Sequence, residues 1–229
     1  MNKPTNYRQI LTIQTAKNDK ALALGYLQGI IFLSPHTSSG EWNTCAAASP
    51  GCSKACLAQF AGRMRFSAAI KARQQRTQLW YRDRKMFLAS LDWDIRALER
   101  KAVRMGLTPC IRPNGGSDLP KLAGAVLDRF GGQVFDYTKL PRSWERVKPN
   151  YHLTFSASEI NATDRIEAIN HGLNLAVVER EEPKGWDGIV VNGDEHDLRF
   201  LDPPDSLVWL KPKGGIAKRD TTGFVRLAV

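Results

Sequence analysis

The 229-residue sequence predicts an α/β fold, a full or partial (β/α) barrel with an N-terminal β-hairpin. Three observations predict it. After Gly106, short apolar runs alternate with stretches of helical periodicity, the pattern of strands paired in parallel through right-handed crossovers. Each apolar run ends abruptly in polar residues. No segment rich in Pro, Gly or Ser divides the chain, so residues 1–229 read as one domain, with 1–28 as a hairpin extension. Counted from Ile30 there are seven core strands, which suits a full or slightly incomplete barrel. A doubly wound open sheet is the alternative.

The hairpin rests on residues 9–15 and 20–26, which alternate apolar and polar around Lys17-Asn18-Asp19. Gly29–Ser34 is a continuous apolar run, as expected of a strand buried on both faces. From about Phe66 to Met105 the period becomes helical. Phe87, Leu91, Ile95, Leu98, Ala102 and Met105 share one face, Gly106 suits a C-cap, and a break is expected near Tyr81–Arg84. Strands follow at Thr108–Arg112, Gln133–Tyr137, Tyr151–Ser156, Asn174–Val178, Gly188–Val191 and Leu207–Leu210. Helices are expected around Leu122–Phe130, Pro141–Val147 and Ser158–His171.

Composition bounds the function. With 42% hydrophobic and 24% charged residues the chain is of ordinary globular type and long enough for a core. It has no apolar run of the roughly 18 residues a membrane helix needs, so no membrane partner is expected. The N-terminus lacks the apolar core of an export signal, which favours the cytoplasm, where clustered cysteines more often bind metal than form disulfides. The net charge is +10, and Arg63 to Arg104 holds twelve Lys or Arg against Asp83, Asp92, Asp94 and Glu99. That basic 63–104 segment points to a nucleic-acid partner, or to the solvated faces of amphipathic helices.

Chemistry concentrates in two places. The first is Cys45, Cys52 and Cys56, spaced C-x6-C-x3-C directly after the first core strand. Bare spacing leaves zinc, a disulfide or a cluster open. A closed structural zinc site wants four ligands, so three cysteines with an open coordination position favour an iron–sulfur cluster. Cys110 is expected in the core, because free cysteine is among the most buried residue types. The second is the set of strand ends. Asn114, Gly115, Gly116, Ser117 and Asp118 follow one strand; Ser156 and Ser158 follow another. Glu179 and His196 follow later ones. In a parallel barrel these ends meet at one rim, the place for a small polar ligand or substrate. His36 and His196 read equally as functional or structural groups.

A strand, a loop of three close cysteines and a helix opening an α/β barrel resemble the radical S-adenosylmethionine superfamily. There the cysteines bind three irons of a 4Fe–4S cluster and S-adenosylmethionine chelates the fourth; the usual spacing is C-x3-C-x2-C. That likeness implies a possible enzyme. It would place the cofactor's amino group at Gly115-Gly116-Ser117-Asp118 and its ribose near Ser156, Ser158 and Glu159. A closer resemblance, over roughly Leu33 to Val225, is to the bacteriophage gene product 88 family. Asn43-Thr44-Cys45, Gly51-Cys52, Ala55-Cys56-Leu57, Arg112-Pro113-Asn114-Gly115, Asp136-Tyr137-Thr138-Lys139 and Gly193-Asp194-Glu195-His196-Asp197 carry it. It implies a phage-encoded protein with an iron–sulfur site, in the host cytoplasm, and no particular reaction. The readings that compete are a nucleic-acid-binding protein with a structural metal and an electron-transfer protein.

Overall fold

The computed structural model describes residues 3–226. Its centre is a single eight-stranded sheet: β1 (Leu11–Thr12), β2 (Tyr26–Ile31), β3 (Thr108–Arg112), β4 (Gln133–Thr138), β5 (Tyr151–Ser156), β6 (Asn174–Val178), β7 (Val190–Asn192) and β8 (Leu207–Leu210). The strand order is β1-β2-β3-β4-β5-β6-β8-β7, parallel throughout except for antiparallel β1 at one edge. Seven parallel strands run from β2 onward, as expected. Among the described residues no pairing joins β7 to β1 or β2, so the sheet is open and a barrel is not formed.

The helices are α1 (Ala16–Ala23), α2 (Pro50–Lys54), α3 (Leu57–Phe60), α4 (Ser67–Arg82), α5 (Arg84–Met105), α6 (Pro120–Leu127), α7 (Ala162–Asn170) and α8 (Gly215–Lys218). The long helical stretch breaks at Asp83, whose side chain accepts the N–H of Met86 and caps α5. Gly106 ends α5 at φ 64°, a left-handed conformation that glycine adopts without penalty. Met105, expected on the buried stripe, is exposed as the last residue of α5. Pro141–Val147 gives only a 3-10 turn at Ser143–Arg146.

The expected hairpin is corrected. Its first arm does pair antiparallel with β2, but its second arm is helical: Thr15 caps α1 by accepting from the N–H of Asn18. The Lys-Ala-Leu-Ala-Leu alternation reads as a strand, yet Ala and Leu are strong helix formers, and a cap decides between the two.

Side chains on the two sheet faces alternate, as the pleat requires. Ile111, Val134, Leu153, Phe155, Leu175, Val177 and Leu207 pack against α4–α7 through Trp80, Phe87, Leu91, Ile95, Leu98, Val126 and Ala168. The opposite face carries Cys110 and Phe135, covered by Ala21 of α1 and by Leu198 and Phe200. Segment 194–202 therefore fills the space that barrel closure would have lined. Asp197 anchors it, accepting from Lys17 Nζ (2.6 Å), Arg112 Nη1 (2.8 Å) and Gln28 Nε2 (3.2 Å). Lys20 donates to the carbonyl of Asp194 beside it. Side chains, rather than strand pairing, tie the β2 side of the sheet to the β7–β8 side.

Candidate functional site at the strand ends

All seven parallel strands point their C-terminal ends the same way, and the cysteine loop lies across those ends. Its entry is fixed beside β2, where Ser34 N donates to Thr77 Oγ1 (2.8 Å) and the Thr44 hydroxyl donates to the Ser34 carbonyl. Cys45 then forms a parallel bridge with Asp118, whose N–H donates to Thr44 O at 2.8 Å. Ser49 caps α2 by accepting from Cys52 N (3.1 Å), and Pro50 starts the helix where its missing N–H does no harm. The Glu159 carboxylate, after β5, accepts from Ser49 Oγ (2.7 Å) and Gly51 N (2.6 Å). Gly51 has no room for a side chain: a Cβ there would stand 2.6 Å from Phe224 Cβ and 2.7 Å from Glu159 Oε1. The C-terminal segment around Phe224 thus presses the loop onto the sheet.

Cys45, Cys52 and Cys56 are free and half-buried, whereas Cys110 is fully buried in the core, as expected. Burial pushes the Cys45 thiol up to about 11, while the N–H of His36, 3.3 Å from the sulfur, and the Thr44 hydroxyl pull it down. Burial likewise raises the Cys56 thiol, offset by the N–H groups of Ala58 and Gln59 and by Arg73. The Cys52 thiol adds a smaller raising effect on both. Among the described residues no three His, Cys, Asp or Glu side chains converge closely enough to hold one metal ion.

The remaining predicted residues fall into two places. Asn114 to Asp118 lie beside Cys45, with Gly116 O 3.7 Å from its sulfur. Asn114 organises this turn: its N and Nδ2 donate to Asp136 (2.8 and 2.9 Å), and its Oδ1 accepts from Ser117 Oγ (2.7 Å) and Leu119 N (3.0 Å). Gly115 sits where a Cβ would come within 2.5 Å of Ile30 Cγ2. Asp118 accepts from Lys139 N (2.9 Å) and Thr138 Oγ1 (3.2 Å). Ser156 Oγ accepts from Lys139 Nζ (2.9 Å). Ser158 Oγ and both carboxylate oxygens of Glu179 are buried without a hydrogen-bond partner among the described residues. Burial raises the Glu179 carboxyl, against the pull of Arg226. His36 Nε2 meets Gln59 Oε1 at 3.0 Å, in the same loop system. His196 is elsewhere, in the segment that fills the other sheet face, with Nδ1 3.0 Å from Arg199 and Nε2 4.0 Å from Asp202. Sequence reasoning did not foresee Gly51 as a contact point, or Lys139 as the link between two strand ends; both depend on residues far away in the chain.

Asp136 carries a testable consequence. Burial pushes its carboxyl up to about 7, with Asn114 and Arg112 pulling the other way. The unfolded carboxyl loses its proton near pH ~4 and the folded one keeps it to about 7. Stability should therefore fall as pH rises through that window. Urea unfolding at pH 5 and pH 8 should show the decline, and Asp136→Asn should flatten it.

Residues 7–228 match the family model described as gene product 88. The chain belongs to the gene product 88 family. The match reaches further toward the N-terminus than the quoted motifs do, taking in β1 and α1 with the rest of the fold. No curated protein and no solved structure gave a match. In this gene product 88 chain the motif segments around Cys45, Gly51, Asn114 and Asp136 are the ones that build the strand-end site, while Gly193–Asp197 belongs to the other face.

Proposed function

We propose that this gene product 88 chain is an iron–sulfur protein in which Cys45, Cys52 and Cys56 hold a 4Fe–4S cluster, one thiolate per iron. The fourth iron is left for a small polar ligand, S-adenosylmethionine being the first to test. The observation that carries this reading is the placement of three half-buried thiols on one loop clamped over the strand ends by Glu159. Ligands of a single zinc must meet at about 2.0–2.3 Å from one centre; thiolates of a cubane bind separate irons and so surround one cluster at wider mutual spacing. Peptide N–H groups at Cys45 and Cys56 suit ligation as well, since hydrogen bonds to sulfur tune a cluster's potential.

When bound and reduced, such a cluster supplies an electron to the ligand on its open iron. The chain's own residues would bind and orient that ligand. Asn114–Asp118 lie next to Cys45, and Ser156 and Ser158 lie at the end of β5, two strands along the sheet from β3. Glu179 is the unpartnered acid of the set. Three reduced cysteines this close together call for reducing surroundings, which fits the host cytoplasm. No described helix is long and apolar enough to cross a membrane.

The test is anaerobic reconstitution with ferrous iron and sulfide. We expect a brown protein with about four irons per chain and a paramagnetic signal on reduction. A colourless, iron-free product would sink the reading. Calorimetric titration with S-adenosylmethionine then separates an enzyme of that class from a cluster protein that takes another ligand.

A further inference from the structure

From Trp42 to Arg82 the chain carries seven Lys or Arg and no Asp or Glu. Inside this stretch four large apolar side chains are open to water: Leu57 (47%), Phe60 (43%), Phe66 (55%) and Ile70 (37%). The backbone gathers them. Leu57 and Phe60 are one turn apart on α3, and Phe66 and Ile70 are one turn apart at the start of α4, joined by the bond from Ile70 N to Phe66 O. A 3-10 turn at Gly62–Arg65 links the two pairs. Buried Arg73 pins that turn to α4 through Nη1 and the Met64 carbonyl (2.9 Å). Lys54, Arg63, Arg65 and Lys71 are exposed around the patch, and among the described residues none of them forms an ion pair.

Singly scattered exposed apolar residues mean little, but four within fourteen residues around one 3-10 turn mark a contact surface. Aromatic rings interleaved with unpaired cations have a specific chemical complement, a single strand of nucleic acid, whose bases stack on the rings while its phosphates meet the cations. We propose that α3, the 3-10 turn and the first turn of α4 bind single-stranded nucleic acid. Phe60 and Phe66 serve as stacking platforms, and Lys54, Arg63, Arg65 and Lys71 contact phosphates. A lipid surface would call for one continuous amphipathic helix. Here the apolar residues are split across a 3-10 turn, and α3 is only four residues long. Lys54 lies between Cys52 and Cys56, so a bound strand would run past the cysteine loop. The inference does not depend on what that loop holds.

Fluorescence anisotropy with labelled oligothymidine and oligouridine and the full chain tests it. Affinity should fall steeply with salt. Phe60→Ala and Phe66→Ala should each weaken binding about tenfold or more, leaving the salt slope unchanged. Arg63→Gln with Arg65→Gln should lower the slope by about 1.4, at roughly 0.7 per phosphate. All these side chains are exposed, so circular dichroism should report an unchanged fold. Undetectable binding at low salt would overturn the proposal. So would full affinity in both Phe variants, or tighter association with phosphatidylserine vesicles that the same Phe substitutions abolish.

Discussion

Replacing Asp197 by alanine should destabilise the protein by about 3–5 kcal/mol, the usual result of removing one partner from a buried ion pair. Asp197 is 5% exposed and is shared by three segments far apart in the chain: Lys17 on α1, Gln28 on β2 and Arg112 on β3. Without it, the buried Arg112 guanidinium and Gln28 amide lose their partner, and so does the partly exposed Lys17 ammonium. Burial has already lowered the Lys17 ammonium to about 8 against the pull of Asp197, so its loss would drive that group toward the neutral form. A double variant, Asp197→Leu with Arg112→Met, should recover much of the deficit, because apolar replacement of a whole buried pair is often neutral. The pH dependence identifies the cause. Burial alone would raise the Asp197 carboxyl, but Arg112 and Lys17 outweigh it and hold the group well below the usual carboxylate range. Its contribution is therefore complete above pH ~4–5 and disappears as pH falls below that window. Urea unfolding followed by tryptophan fluorescence should show wild type converging on Asp197→Ala as pH drops toward 3. A constant gap between them would mean that charge is not the source.

Strand positions were legible where physics made them so. The bounds of β3, β5, β6 and β8 were read directly, because strands covered on both faces are apolar runs cut off sharply by polar residues. The α4–α5 break was legible from length, since forty residues are long for one globular helix, while the Asp83 cap that makes it is a structural finding. Closure was not legible. Whether a last strand pairs with a first depends on what else occupies the gap, and here α1 and Leu198–Phe200 occupy it. The same fact explains His196. A polar run after β7 looks like part of a ligand rim, but its polarity serves buried pairs with Arg199 and Asp202 on the other side of the sheet. Arg112 shows the limit well. That a charge abutting an apolar strand needs a partner follows from desolvation; that the partner lies 85 residues away, at Asp197, does not. For the cysteine loop, spacing located the thiols, while the clamp of Glu159 on Ser49 and Gly51 is a tertiary contact that no local pattern announces.

Alanine at Cys45, Cys52 or Cys56 should each remove most of the iron and visible absorption from reconstituted protein, whereas Cys110→Ala should retain both. The contrast follows from position. Three thiolates are the least that can hold a cubane whose fourth ligand comes from outside, so loss of any one leaves two corners without a protein donor. Cys110 is sealed between the sheet and Ala21, Phe135 and Leu198, and burial pushes its thiol far above the ordinary range, so it offers no accessible thiolate. None of the loop variants should unfold the apoprotein, because the turn is held independently of the sulfurs by the Ser49 cap, the Glu159 clamp and the Cys45–Asp118 bridge. Circular dichroism and thermal melts of the apo forms check that condition, and iron and sulfide analysis of the reconstituted forms reads the effect. Retention of full iron by all three loop variants would remove these cysteines from ligation; loss of iron from a well-folded Cys110→Ala would put the site elsewhere.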